Sequence, residues 1–364
     1  MKYNDIRKKT RELHIGQIGI GGGNPIAIQS MTNTDTMDAV ATVAQIKALE
    51  ARGCDIVRIT VPTVEAADTV LRIKESGVRI PVVADIHFDY KIALRCAEVG
   101  VDKIRINPGN IGSDDRVKEV CRACRLGGIP IRIGVNSGSL EKNILAKYGA
   151  PTAEALLESA LYHISLLEKY DFSDIAVSIK ASDVATMIAA NRMLSERTDY
   201  PIHLGVTEAG GERRGLVKSS IGIGGLLADG IGDTLRVSLT DDPLLEIDAA
   251  REILNALDID GQKQMNIVSC PTCGRTKIDL IELVKKFEAA AAEEGLLDIP
   301  LKVALMGCIV NGPGEAREAD IGIAGGCGEA LVFSHGEILC KISEDMIIPT
   351  LIAKIKEMAD RNGR

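Results

Sequence analysis

Three cysteines toward the C-terminus are the residues whose types and spacing most plainly imply chemistry. Cys270-Pro271-Thr272-Cys273-Gly274 lies where an apolar run gives way to a helical stretch. Met306-Gly307-Cys308-Ile309-Val310-Asn311-Gly312-Pro313-Gly314-Glu315 repeats that placement after the next apolar run. A Cys-x-x-Cys pair lets one turn present two thiolates to one metal centre, and the surrounding glycines and prolines expose backbone N–H groups to sulfur. A helix start after Cys273 also favours negative charge. One pair plus one further cysteine gives three soft ligands, which suits an iron–sulfur cluster with one iron held differently. Zinc and a redox dithiol remain alternatives, although Cys327, Cys340 and His335 supply no second close pair of the kind a structural zinc site commonly has.

The chain carries its own control. Cys121-Arg122-Ala123-Cys124 has the same spacing but lies within residues 114–126, a helical stretch of Val, Lys, Glu and Arg. Gly127 and Gly128 read as the stop of that helix, and no third ligand accompanies the pair. Cys54 and Cys96 read as packing residues near helix ends. Gly21-Gly22-Gly23 lacks the strand–loop–helix context of a phosphate loop and reads as a tight turn.

A second chemical signal is cationic. Arg58, Arg105, Arg132 and Lys180 each sit inside or at the end of a short β-branched run. A strand buried between layers has no reason to hold such a charge unless something pairs with it. Surface exposure, or pairing with a carboxylate such as Asp85, would explain any one of them singly. Their recurrence points to a phosphorylated, anionic ligand. Arg236 lies in a similar run, and its partner is left open between phosphate and carboxylate. Asn107 and Asn110 belong to a Pro-Gly loop and read as turn formers.

The elements that would position these groups repeat one theme. The runs are residues 26–30, 56–60, 81–85, 103–107, 131–136, 175–180, 202–206 and 235–239, each followed by a helical stretch. Roughly eight β/α units of ~25–30 residues match the number and spacing of a TIM barrel, whose mouth lies at the C-terminal strand ends. A doubly wound open sheet is the competing α/β fold. Beyond residues 256–261, read as a linker, shorter strands and two helices suggest a small α+β domain. The expected domains are residues 1–258 and 259–364.

Composition narrows the function classes. The 364 residues are 46% hydrophobic and 26% charged, as in soluble globular enzymes. With no Trp, six Tyr and four Phe, there is little to stack nucleobases on. Lys+Arg number 43 against 51 Asp+Glu, a net charge of −8 that argues against nucleic-acid or acidic-membrane binding. No stretch approaches the ~18–20 apolar residues of a membrane span. Residues 1–13 are charged and unlike a signal peptide, and nine cysteines is an odd number, so thiols or metal ligands in a cytoplasmic protein are expected.

With these residues in hand, the chain resembles the bacterial 4-hydroxy-3-methylbut-2-enyl diphosphate synthases over essentially its whole length. The resemblance is anchored by Ser269-Cys270-Pro271-Thr272-Cys273-Gly274-Arg275 and by residues 307–315. Supporting segments are residues 29–36, 84–88, 105–110 and 205–210. It implies a TIM (β/α)8 barrel followed by a small α+β iron–sulfur domain resembling that of sulfite reductases. The implied reaction converts 2-C-methyl-D-erythritol 2,4-cyclodiphosphate to (E)-4-hydroxy-3-methylbut-2-enyl diphosphate by two-electron reductive ring opening with loss of water. Flavodoxin or ferredoxin would be the electron donor, and the chain looks like the short bacterial type. By resemblance a 4Fe-4S cluster is held by Cys270, Cys273, Cys308 and Glu315. Arg58, His87, Arg105, Arg132, Asn136, Lys180 and Ser238 would bind substrate. Glu208 would donate the proton for water loss, with a pKa raised by burial near phosphates. The resemblance also implies a homodimer with composite active sites. Without it, His87 reads as a core histidine and Glu208 and Glu315 as loop carboxylates.

Overall fold

Alternation along eight parallel strands decides what can face the interior of this molecule. The computed structural model describes residues 3–259, 264–309 and 316–361. Two units emerge, Met1–Ile259 and Asp260–Arg364. The first begins with a short antiparallel hairpin, β1 (Leu13–Ile15) and β2 (Ile18–Ile20), which is not among the runs read from the sequence. Its turn into the next strand carries Gly21, Gly22 and Gly23 at φ of 67°, 58° and 95°, so the tight-turn reading holds.

The eight runs then form β3 (Ala27–Met31), β4 (Ile56–Thr60), β5 (Val82–Asp85), β6 (Lys103–Ile106), β7 (Ile131–Asn136), β8 (Ile175–Lys180), β9 (His203–Leu204) and β10 (Thr234–Leu235). Neighbours in sequence pair in parallel from β3 to β8, and β10 pairs with both β9 and β3. A parallel bridge between Val177 and Ile202 joins β8 to the segment entering β9. The ring therefore closes, and the open-sheet alternative is excluded. Following the register once around from Gln29 brings the ladder back to β3 displaced by eight residues, the shear of a TIM barrel.

The last two strands are shorter than the five-residue runs expected. Arg236 N still donates to Leu204 O at 3.0 Å. Beyond that bond Lys180 Nζ packs where a Cβ of Gly205 would lie, and regular pairing ends. Arg236 and Ser238 thus follow β10 instead of lying in it.

With this shear, inward side chains stack in layers of four from alternate strands. The lowest layer is Ile56, Lys103, Ala176 and Thr234; the next is Gln29, Val83, Arg132 and His203. Above them come Arg58, Arg105, Ser178 and Arg236, then Met31, Asp85, Gly134 and Gly205. Thr60, Asn107, Lys180 and Ser238 form the rim.

Helices wrap the outside. Those at Ala39–Ala51, Tyr90–Glu98, Ala153–Glu168, Val184–Arg197 and Pro243–Ala256 begin on side-chain caps from Asp38, Asp89, Thr152, Asp183 and Asp242. Cys121 and Cys124 are buried on the helix Asp114–Gly127, which stops at Gly128 with φ of 62°. Burial pushes the Cys121 thiol up to about 11, and Cys54 and Cys96, also buried, are pushed up to about 12. These four are packing residues.

The second unit holds a five-stranded sheet. β11 (Asn266–Ser269), β12 (Lys302–Met306) and β13 (Ile321–Gly325) run parallel, followed by antiparallel β14 (Glu329–Ser334) and β15 (Glu337–Ser343). Helices Leu280–Glu293 and Ile347–Arg361 cover it around Phe287, Leu305, Ile323, Val332 and Leu351. Among the described residues no helix is long and apolar enough to cross a membrane.

The hairpin plugs the barrel's N-terminal end. Leu13, Ile15 and Ile20 form one apolar cluster with Ala27, Ile56, Val83 and Ala176 at the starts of the strands. Ile15→Ala leaves a cavity there and should cost about 2–5 kcal/mol in urea unfolding. A loss well below that range would show that the plug is dispensable.

Candidate active site

The barrel interior gathers more positive charge than it can pair. Arg105 Nη1 donates to Asp85 Oδ1 at 3.1 Å and Nη2 to Gly134 O at 2.9 Å. Arg58 Nε lies 3.6 Å from Asp85 Oδ2, so one carboxylate serves two guanidinium groups. Arg236 is held by a second: its Nε and Nη2 donate to Glu246 Oε2 and Oε1 at 3.0 and 2.9 Å. Ser30 Oγ adds a 2.7 Å bond to Glu246 Oε2. The open question about Arg236 thus resolves to a carboxylate partner. Among the described residues, Lys103, Arg132 and Lys180 have no carboxylate within ion-pair distance.

Burial sharpens this imbalance. Arg58, Arg105, Arg132 and Lys180 are 9%, 7%, 1% and 7% exposed, which rules out surface charge as their explanation. Burial, then the neighbouring Arg58 and Arg132, pulls the Lys180 amine well below its ordinary range. Burial draws Arg58 down to about 10, against the pull of Asp85. Burial would raise the Asp85 carboxyl, but Arg58, Arg105 and Arg132 overcome it and hold it at about 2. Close approach is built in: a Cβ on Gly134 would fall 2.2 Å from Arg105 Nε, and one on Gly205 2.6 Å from Lys180 Nζ.

Of the remaining expected residues, Asn136 ends β7 at the rim. With its amide oxygen turned to the guanidinium, it accepts from Arg105 Nη2 at 3.2 Å. Ser238 is half-buried, and His87 is exposed just beyond β5, so His87 is not a core histidine. Glu208 is exposed as well, which corrects the expected burial of its carboxyl: the loop after β9 turns it outward. Its φ of 52° lies in the left-handed region, a strained conformation for a glutamate.

The models of the GcpE TIM-barrel domain and the GcpE protein C-terminal domain match residues 10–251 and 266–357. The chain belongs to the GcpE family. The 4-hydroxy-3-methylbut-2-en-1-yl diphosphate synthase (flavodoxin) of Ruminiclostridium cellulolyticum is 55% identical over 352 residues, covering 97% of this chain and 98% of its own. The Fusobacterium nucleatum protein of the same name gives the same figures, and that of Geobacter sulfurreducens is 54% identical over 353 residues, covering 97% and 99%. Among solved structures, a type I 3-dehydroquinate dehydratase from Clostridium difficile superposes with a TM-score of 0.50 at 14% identity, covering 68% of this chain and 98% of its own. That likeness shows the fold alone.

In this GcpE chain Cys270 follows β11 and Cys308 follows β12, at the same end of two adjacent parallel strands. Gly307 N donates to Cys270 Sγ at 3.3 Å, a bond suited to a thiolate. Cys273 is exposed, and hydrogen bonds from Arg275 lower its thiol pKa. Among the described residues, however, no three His, Cys, Asp or Glu side chains are drawn together into a metal-holding group. Glu315 lies outside the described residues. Neighbouring strand ends, soft donors and an N–H directed at sulfur fit a cluster better than a closed zinc site.

Lys103, His203 and Gln29 are interior residues that the sequence reading passes over. All are 0–1% exposed. The signal available was phase: Lys103 stands two residues before Arg105 on the same strand face.

Asp85 is the central counter-charge, so its removal has a definite pH signature. A carboxyl held at about 2 contributes stability that is complete above its unfolded value of roughly 4 and lost as pH falls through its folded value. Asp85→Asn should therefore cost about 3–5 kcal/mol near neutrality, with the deficit against the unsubstituted chain shrinking from pH 4 toward 2. Denaturant titrations across that range test this; a pH-independent deficit would contradict the pairing.

Proposed function

We propose that this chain is a flavodoxin-dependent 4-hydroxy-3-methylbut-2-enyl diphosphate synthase. It opens 2-C-methyl-D-erythritol 2,4-cyclodiphosphate reductively, with loss of water, to (E)-4-hydroxy-3-methylbut-2-enyl diphosphate. The observation that carries this reading is end-to-end similarity to relatives of that name, 55% identical over 97% of the chain. The cationic barrel mouth supports it independently, because a cyclic diphosphate brings the charge that Lys180 and Arg132 lack.

In this reading Lys180 and Arg132 take phosphoryl oxygens, and Arg58 and Arg105, held in place by Asp85, complete the cradle. His87, Asn136 and Ser238 add neutral donors at the rim. Glu208 gives the proton to the departing hydroxyl. Its carboxyl, exposed in the free chain, would be desolvated by the substrate. Cys270, Cys273 and Cys308 with Glu315 would hold a 4Fe-4S cluster, which supplies the two electrons received from flavodoxin. Ferredoxin is the alternative donor. A cytoplasmic homodimer with composite sites belongs to the same reading.

The test is anaerobic turnover of the cyclodiphosphate with reduced flavodoxin, alongside iron and sulfide analysis. Product formation with about four irons and four sulfides per chain is the expected result. Stoichiometric zinc in a colourless, inactive protein would overturn it. Lys180→Met should raise KM at least ~tenfold at unchanged iron content. Glu208→Gln should lower kcat by about 10²–10⁴ with KM little changed; equal KM and kcat effects at both positions would reject this division of roles.

A further inference from the structure

Beneath the mouth lies a polar floor where TIM barrels ordinarily stack bulky apolar residues. It comprises Gln29, Arg132 and His203 in the second layer and Lys103 directly below. Except for Arg132 at its upper edge, the proposed reaction uses none of it. Lys103 and His203 are 0% exposed, and Gln29 and Arg132 1%. Among the described residues, Lys103 Nζ, His203 Nε2, Arg132 Nε and Nη2, and both amide atoms of Gln29 have no hydrogen-bond partner. His203 Nδ1 is satisfied at 2.8 Å by the Thr234 hydroxyl, which leaves Nε2 as a donor when that hydroxyl donates. The unpartnered set is then rich in donors, with Gln29 Oε1 its one acceptor.

These groups sense each other. The charges acting on Lys103 are those of Arg132 and Arg58, and His203 feels Arg132, Lys180 and Lys103. Both of these carboxylates are committed elsewhere, Asp85 to Arg58 and Arg105 and Glu246 to Arg236. Burial draws the Lys103 amine well below its usual range, so lysine can yield its proton. Arg132 cannot. Its buried charge, bonded to the neutral Ser178 Oγ at 2.6 Å, calls for an anion. The surrounding walls are Ile56, Val83 and Ala176, and the hairpin cluster of Leu13, Ile15 and Ile20 seals the floor from below. Donors set among apolar walls suit a small, weakly hydrated anion.

We propose that this floor is a seat for a monovalent inorganic anion of the halide class, bound by Lys103, Arg132 and His203. The seat shares Arg132 with the substrate cradle and otherwise lies below it, and it does not depend on the identity of the substrate. An anion there adds negative charge beneath Arg132, which the substrate meets from above, and leaves the rim cation Lys180 to phosphate.

The test is thermal unfolding of the full cluster-bearing chain, kept anaerobic, in sodium chloride or bromide exchanged against sodium gluconate at constant ionic strength. A saturable rise in Tm with halide is expected, by mass action on the native state, with its midpoint shifted at least ~tenfold in Lys103→Met and unchanged in Lys180→Met. Identical curves in halide and gluconate would overturn the proposal. So would a halide effect lost in Lys180→Met and kept in Lys103→Met, which would place the ion in the mouth. Should Lys103→Met not fold, bromide-grown crystals of the unsubstituted chain decide. An anomalous peak among Lys103, Arg132 and His203 supports the seat, and peaks confined elsewhere refute it.

Discussion

Among the described residues, six cationic side chains enter a barrel interior where two carboxylates answer them, and most other features of the first unit follow from that imbalance. Asp85 is shared between Arg58 and Arg105, while Glu246 reaches in from the helix Pro243–Ala256 to hold Arg236. A dry interior would not tolerate the remaining charges, because an unpaired buried ion costs several kcal/mol even after relaxation. The fold is therefore arranged to receive negative charge from outside. Asp85 fixes the geometry of two cations without neutralising the whole set.

That arrangement has to be stabilised elsewhere. Ordinary barrels gain cohesion from packed aliphatic layers, and this one replaces much of two layers with Lys, Arg, His and Gln. The compensation is visible at the periphery. The hairpin plug buries Leu13, Ile15 and Ile20 against the strand starts, and the outer helices bury apolar faces including Ile46, Leu49, Leu156 and Leu226. Side-chain caps at five helix starts contribute about 1 kcal/mol each. Functional charge sits at the centre and cohesion lies around it.

How much of this was legible in the sequence depends on which forces write a pattern into it. The bounds of β4, β7 and β8 coincide with the apolar runs because each ends abruptly in a polar residue. The helix carrying Cys121 and Cys124 was equally clear, since Gly128 supplies the left-handed stop. The β1–β2 hairpin was not, because strands of three residues within a charged segment leave almost no period to read. β9 and β10 were overestimated: Val206 and Val237 are buried and apolar, but pairing stops where Lys180 occupies the space beside Gly205. The cationic mouth was readable from four strand residues. The floor under it was only partly so: Lys103 shares a strand face with Arg105 two residues on, but recognising Gln29 and His203 as interior requires the register that closes the ring. For the cysteines, sequence placed the turns at adjacent strand ends, whereas the fourth ligand came from resemblance alone.

The contrast between the whole chain and its centre bears on how an anion reaches the site. The net charge is −8, so at long range the molecule repels the anionic ligand proposed for its mouth. Surface charges act through solvent and are screened within about 8–10 Å at physiological salt. Arg58, Lys103, Arg105, Arg132 and Lys180 are nine-tenths buried or more and lie beyond much of that screening. Long-range repulsion therefore weakens with ionic strength faster than the attraction at the mouth. A substrate held in this way should bind no more weakly as ionic strength rises moderately, unlike a ligand held by an exposed basic patch. The placement of charge, more than its amount, is what lets an acidic protein present a cationic interior to an anionic ligand.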